Sequence, residues 1–89
     1  MRRSKLEIYV DILKVLAHMG PLNLTNIMYK SNLNGSILKE YRGFLIKQGL
    51  VEELTVKKSQ SVFRITQRGT NVLKYFRELT QEMCAIEEA

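Results

Sequence analysis

The sequence predicts a mainly α-helical domain with one small β-hairpin. Apolar residues recur at helical spacing through residues 4–19, 35–48 and 67–89, whereas residues 50–65 hold two short extended runs around a polar stretch. The chain has 89 residues, of which 45% are hydrophobic, so it can form one domain with a modest core. No apolar run reaches the roughly 18 residues that a membrane-spanning helix needs.

The first predicted helix covers residues 4–19. Ser4 precedes the apolar run, and Glu7 lies three positions after Ser4, which is the pattern of a capping box. Polar residues at positions 7, 11, 14 and 18 share one stripe, and nearly all other residues are apolar. Because this apolar arc is wider than one core contact needs, the helix is expected to pack on two sides. Gly20-Pro21 is expected to end it.

The segment TNIMYKSNLNGSILKEYRGFLIKQG contains Asn34-Gly35, a dipeptide typical of β-hairpin turns. A hairpin requires alternating residues on both sides of the turn, but the apolar residues that follow fall at helical spacing. Asn34 is therefore predicted to cap a helix that runs to about Gln48. A short helix over residues 24–31, capped by Asn23 or Thr25, precedes it. The segment is thus predicted to be two helices joined by a short turn.

After Gly49 the pattern changes to two extended runs around the polar tip KKSQS, residues 57–61, which predicts a β-hairpin. Thr66 is expected to cap a last helix, whose first turn is weakened slightly by Gly69. Apolar residues of that helix form a short heptad seam at Val72, Phe76, Leu79, Met83 and Ile86. The seam predicts pairing with a second copy of the chain. The alternative is a helix that lies along its own domain.

The charge distribution suggests a polyanionic partner. The net charge is +5, but residues 1–77 hold all 14 basic and five acidic residues, which gives +9, whereas residues 78–89 hold four acidic residues and no base.

Enzymatic activity is not expected, because the sequence shows no phosphate-binding loop, nucleophile motif or metal-ligand cluster. The single cysteine, Cys84, and the single histidine, His18, cannot form an internal disulfide or a usual four-ligand zinc site. Cys84 is interpreted as an ordinary helix residue, with a cross-chain disulfide as the minority alternative. Tyr9, Tyr29, Tyr41 and Tyr75 are interpreted as core residues. We predict no cofactor and no small-molecule ligand.

The start MRRSKLEIYV lacks the pattern of a signal peptide, so a cytoplasmic location is expected.

The order helix, helix, turn, helix and two-stranded wing is that of a winged helix-turn-helix. The runs IMYKSNLN, YRGFLIKQGLV and FRITQRGTNVL resemble the archaeal winged-helix family of small DNA-binding regulators, which includes dimeric, chromatin-associated basic proteins of Sulfolobus-type archaea. The resemblance covers roughly residues 5–80. In that family an Asn or hydroxyl cap starts the recognition helix, and a T-x-x-G step leads from the wing to the final helix. Asn34 and the run Thr66 to Gly69 occupy those places here.

The resemblance implies double-stranded DNA as the partner and a homodimer formed by an antiparallel coiled coil of the last helix. It divides the chain into a winged-helix DNA-binding part, residues 1–66, and a dimerisation helix, residues 67–89. A nucleoid-associated location follows from DNA binding. The alternative function is a winged helix that serves as a protein–protein interaction module without binding DNA.

DNA binding requires Lys or Arg near phosphates and short polar groups near base edges. The recognition helix, with Leu38, Tyr41 and Leu45 on its core face, is expected to enter the major groove. Glu40 is expected either to accept from a cytosine amine or to orient a neighbouring Arg or Lys side chain. The wing tip is expected on the backbone or in the minor groove, the alternative being a solvated turn. The predicted contacts are Thr25, Asn26, Lys30, Ser36, Lys39, Glu40, Arg42, Lys47, Lys57, Lys58 and Arg64.

Overall fold

Four helices and a two-stranded antiparallel hairpin form the fold in a computed structural model, which describes residues 4–57 and 60–88, with side chains as far as residue 81. The predicted fold class is confirmed. The elements are α1 (Lys5–Met19), α2 (Leu24–Ser31), α3 (Gly35–Lys47), β1 (Val51–Lys57), β2 (Gln60–Ile65) and α4 (Gln67–Glu88).

The helices begin where side chains satisfy their first backbone N–H groups. Ser4 and Glu7 form the predicted capping box, with the Ser4 hydroxyl accepting from the Glu7 N–H at 3.1 Å. At α2 the cap is Asn23, not Thr25, since the Asn23 side chain accepts from the Asn26 N–H. The Asn34 side chain accepts from the N–H of Ile37 at 2.8 Å, so Asn34-Gly35 starts a helix and not a hairpin.

The core lies where α1, the core face of α3 and the base of the hairpin meet. The helix α1 packs against α2, α4 and β2, which explains its wide apolar arc. The most buried apolar side chains are Val10, Ile12, Leu13, Leu16, Ile27, Leu38, Tyr41, Leu45, Val51, Phe63 and Leu73. Tyr29 and Tyr75 were predicted in the core, and this was wrong: their side chains are 74% and 69% exposed.

The hairpin is longer than predicted and its tip is shorter. Val51 pairs with Ile65 at the base, and Lys57 pairs with Gln60 at the far end. The predicted tip, 57–61, is therefore partly strand. The polar composition of residues 57–61 suggested a turn. Strand residues near the end of a projecting hairpin are also polar, because water contacts both faces of the hairpin there. Leu22 also bridges to Phe63, through N–H···O bonds of 3.1 and 2.8 Å, and so ties the approach to α2 to the wing.

Among the α4 residues whose side chains are described, 67–81, those that contact the core lie in the first half of the helix. Leu73 is buried and Phe76 packs partly against the core. The helix has 22 residues and is about 33 Å long, which helps to make the molecule 55 Å in its longest dimension against 29 and 21 Å in the others. None of the described helices is both long and apolar enough to cross a membrane.

Candidate nucleic-acid interface

The helix α3 has a buried face and a polar face, as its residue spacing predicted. Leu38, Tyr41 and Leu45 are buried, with at most 8% of each side chain exposed. The opposite face exposes Ser36, Lys39, Glu40, Gly43 and Lys47. This face carries two cations, one anion and a hydroxyl, and none of these side chains is needed for the core. It is therefore available to a partner.

Arg42 lies beside this polar face and is partly buried. Its guanidinium carbon is 5.6 Å from the centre of the Phe63 ring, so a cation–π contact links α3 to β2. Such a contact contributes about 0.5–1 kcal/mol at an exposed site, enough to orient the arginine.

A groove of 360 Å³ separates the start of α2 from the hairpin, and Arg42 of α3 is one of the residues that line it. Thr25 lines the groove on the α2 side, and Gln60 and Ser61 line it on the β2 side. The start of α2 contributes the positive end of a helix dipole, which favours an anion there. Asn26, Lys30 and Thr25 are all exposed, but the Asn26 N–H already donates to Asn23. An anion at this end would therefore meet other donors of the first turn.

Some residues of the groove were predicted and others were not. Thr25 and Arg42 were predicted contacts, and Gln60 and Ser61 belong to the wing tip that was expected on DNA. Three further lining residues were not predicted: Asn23, Glu53 and Phe63. No sequence pattern indicated Glu53, because only the strand register places this carboxylate opposite Phe63 and beside the groove.

The wing presents fewer free cations than its composition suggests. Lys57 is exposed at the end of β1, and Lys58 lies outside the described residues. Arg64 is paired across the hairpin with Glu52, whose carboxylate accepts from Arg64 Nε at 2.7 Å and also forms an ion pair with its guanidinium. Arg64 thus has a partner that a phosphate would have to replace.

The junction between wing and α4 is tightly built. The Thr66 hydroxyl donates to the carbonyl of Gly49 at 2.6 Å and accepts from the N–H of Gly69 at 3.0 Å. A Cβ on Gly69 would lie 2.2 Å from the carbonyl oxygen of Leu50. The expectation that Gly69 merely weakens the helix was therefore incomplete. Glycine is required here because α4 and the backbone of Leu50, the residue before β1, approach too closely for any side chain.

An aromatic cluster of Tyr9, Tyr41 and Phe44 joins α3 to α1. The Tyr9 ring stacks on Phe44 with centroids 4.6 Å apart and meets Tyr41 edge-on at 4.9 Å. Burial, and then the neighbouring Tyr41 and Glu40, raise the pKa of the Tyr9 hydroxyl above its ordinary value. The cluster therefore anchors α3 to α1 without adding charge behind the polar face.

The predicted seam on α4 is only partly available. Val72 and Leu79 are 41% and 45% exposed, whereas Phe76 packs partly against the protein's own core. The side chains of Met83, Cys84 and Ile86 lie outside the described residues. Tyr75, which the seam did not include, is also exposed on α4. Residues 67–79 of α4 thus divide their apolar side chains between the core and solvent.

Metal binding has no support in the described part of the chain, where no three His, Cys, Asp or Glu residues come together as potential ligands.

Comparisons with known proteins identify the same architecture. A sequence model described as winged helix-turn-helix matches residues 2–84. No curated protein matches the sequence.

Three solved structures illustrate the structural similarity. RV1404 from Mycobacterium tuberculosis aligns with a TM-score of 0.79 at 20% identity, over 92% of this chain and 58% of that one. Sso10a-2, a DNA-binding protein from Sulfolobus solfataricus, aligns with a TM-score of 0.75 at 21% identity, over 97% of this chain and 90% of that one. A Staphylococcus aureus MepR mutant bound to an oligodeoxyribonucleotide aligns with a TM-score of 0.80 at 14% identity, over 89% of this chain and 60% of that one. The chain thus spans less than two thirds of RV1404 and MepR. At these identities the similarity establishes the fold.

Proposed function

The chain belongs to the winged helix-turn-helix family, and from this premise we propose that it binds double-stranded DNA as a homodimer. In this proposal it acts as a transcriptional regulator or a chromatin-associated protein. The helix α3 enters the major groove, and the wing contacts the backbone or the minor groove. Two of the structurally similar proteins support the choice of partner, since one is described as DNA-binding and the other is bound to an oligonucleotide.

One observation carries the proposal: the polar face of α3 is exposed next to the groove that Arg42 lines. An α-helix fits the major groove, and residues in its first half usually reach base edges. Ser36 and Lys39 occupy that half. Lys47 lies at the end of the helix, where backbone phosphates pass. Arg42 stands between α3 and the start of α2, where the helix dipole also favours a phosphate.

The dimer is proposed from the exposed part of the seam. Val72 and Leu79 expose apolar surface that the core does not use, and a second α4 would cover it. Two recognition helices would then face half-sites about 34–36 Å apart, or a multiple of that distance.

The dimer is tested by Leu79→Glu, with Lys74→Glu as a matched control that changes an exposed α4 residue outside the seam. Light scattering should give the dimer mass for the wild type and the control, and the monomer mass for Leu79→Glu. A dimer mass for Leu79→Glu would contradict the seam.

DNA binding is tested by titrating mixed-sequence duplex DNA at two salt concentrations, with and without competitor DNA. Contacts with phosphates predict affinity that falls steeply as salt increases. Lys57→Ala combined with Lys58→Ala should weaken binding to every sequence and flatten the salt dependence, by about one unit of slope per lost contact. Ser36→Ala should change the preference among sequences.

The outcome of the competitor experiment separates the two roles within this proposal. Binding that survives competitor indicates a specific operator, whereas binding that is lost indicates a chromatin-like role. Absence of binding at low salt would contradict the proposal and favour the protein–protein interaction module.

A further inference from the structure

Val56 is an exposed apolar residue at the far end of the wing. Its side chain is 58% exposed, more than that of any other valine in the described residues. It belongs neither to the core cluster nor to the partly buried apolar residues that pack on it. Folding therefore gains little burial energy from this side chain, beyond the preference of valine for strands, and the side chain is accessible to a partner.

The strand register gives Val56 a special position. Thr55 pairs with Ser61 and Lys57 pairs with Gln60, so the register shifts by one residue and Val56 is extra in β1, as in a β-bulge. A bulge places two residues of one strand opposite one residue of the other. Val56 thus lies between two paired positions of β1, directly before Lys57. Bulges are common next to functional sites, and here the residue without a partner on β2 is apolar and adjoins a cation.

The surroundings of Val56 select the kind of partner. Lys57 adjoins it in the structure and Lys58 follows in the sequence, so a polyanion is the complementary surface. The minor groove of duplex DNA fits this description. Its walls are sugar C–H groups, which offer apolar contacts, and the phosphates on both sides carry dense negative charge. Proteins that bind the minor groove frequently insert apolar side chains there.

We propose that Val56 is an apolar minor-groove contact of the wing and that it makes the wing prefer A·T base pairs. This inference rests on the proposed DNA binding and assigns the wing to one groove. The preference follows from the groove floor. A·T pairs present only acceptors there, whereas G·C pairs add the guanine amino group, which would occupy the space of the valine methyls.

The first experiment compares Val56→Ala, Val56→Ile and wild type in duplex-DNA titrations across a range of salt. Val56→Ala should lower the affinity about three- to tenfold, the size expected for losing buried methyl groups, and leave the salt slope unchanged. Val56→Ile should bind at least as tightly as wild type. Lys57→Ala serves as the contrasting variant, because it should flatten the salt slope.

Thr55→Ala is the matched control for the hairpin itself. It removes a β-branched, exposed residue from the same strand without removing the bulged side chain. It should bind DNA like wild type, and thermal melting should show all variants folded. If Val56→Ala binds as tightly as wild type while Lys57→Ala binds weakly, the wing contacts DNA without Val56 and the inference is wrong.

The second experiment identifies the groove. Replacing guanine by inosine removes the minor-groove amino group and leaves the major-groove pattern of the pair unchanged. Wild type should bind the inosine duplex about threefold or more tighter than the guanine duplex, and Val56→Ala should lose most of that difference. Equal binding of both duplexes by wild type, or the same ratio in Val56→Ala, would overturn the inference while leaving DNA binding intact. Failure of wild type to bind any duplex would overturn both proposals.

Discussion

The base of the wing and its far end are built in opposite ways. At the base, Val51 and Phe63 are buried, and α4 lies so close to the backbone of Leu50, just before β1, that only Gly69 fits. At the far end, Val56 and Lys57 are exposed and the strand pairing contains a bulge. The difference separates two tasks. The base fixes the direction of the hairpin relative to α3, and the far end can then carry side chains selected for a partner and not for stability.

The largest expected effect tests the close packing at the base. Gly69→Ala should lower the free energy of unfolding by about 3 kcal/mol, because the new Cβ would meet the Leu50 carbonyl oxygen. Gly43→Ala is the control, since no atom lies within 4 Å of the position of its Cβ. It should raise the free energy of unfolding by about 0.5–1 kcal/mol. Urea denaturation of both variants measures the contrast, and a stable Gly69→Ala would show that α4 can move away from Leu50.

A smaller effect is expected from the hydroxyl of Thr66. Thr66→Val keeps the shape of the side chain but removes its hydrogen bonds to Gly49 and Gly69. The free energy of unfolding should fall by about 1–2 kcal/mol. Thr55→Val makes the same change on an exposed strand residue nearer the tip, where the effect should stay within about 0.5 kcal/mol. Equal losses in the two variants would remove the distinction between base and tip.

The smallest effect on stability is expected at the exposed ion pair one residue beyond the residue pair at the base of the hairpin. Glu52→Gln breaks the ion pair with Arg64, but both side chains are about half exposed, so the free energy of unfolding should change by less than about 0.5 kcal/mol. DNA affinity should instead rise, because Arg64 becomes available to phosphates. Glu78→Gln removes the same charge from α4 and is the control. A rise no larger than that of Glu78→Gln would indicate that Arg64 does not contact DNA.

The local parts of this structure were predictable because short-range interactions decide them. Ser4 with Glu7 and Asn34 with the Ile37 N–H are contacts over three residues, and they define where α1 and α3 begin. The spacing of apolar residues then assigned the core face of α3. The length of the hairpin was predicted less well, because polar residues near Gln60 belong equally to a turn and to an exposed strand.

The predicted DNA contacts divide in the same way. Ser36, Lys39 and Lys47 were placed correctly on the exposed face, since helical geometry alone decides which residues share a face with Leu38. The surroundings of Arg42 and Arg64 were not predictable. The first lies over Phe63 and the second pairs with Glu52, and both contacts join residues more than ten positions apart.

The sequence by itself therefore determined the order of the helices, the helix–turn–helix within residues 25–49 and the polar face of α3, because caps and periodicity act within a few residues. Only the tertiary structure decided that Gly69 must be glycine, that Tyr29 and Tyr75 are exposed, and that Val56 is the extra residue of a bulge. These properties depend on which distant segments pack together and in which register. A local pattern does not contain that information, since the same residue types at the same spacing suit either a covered or an exposed surface.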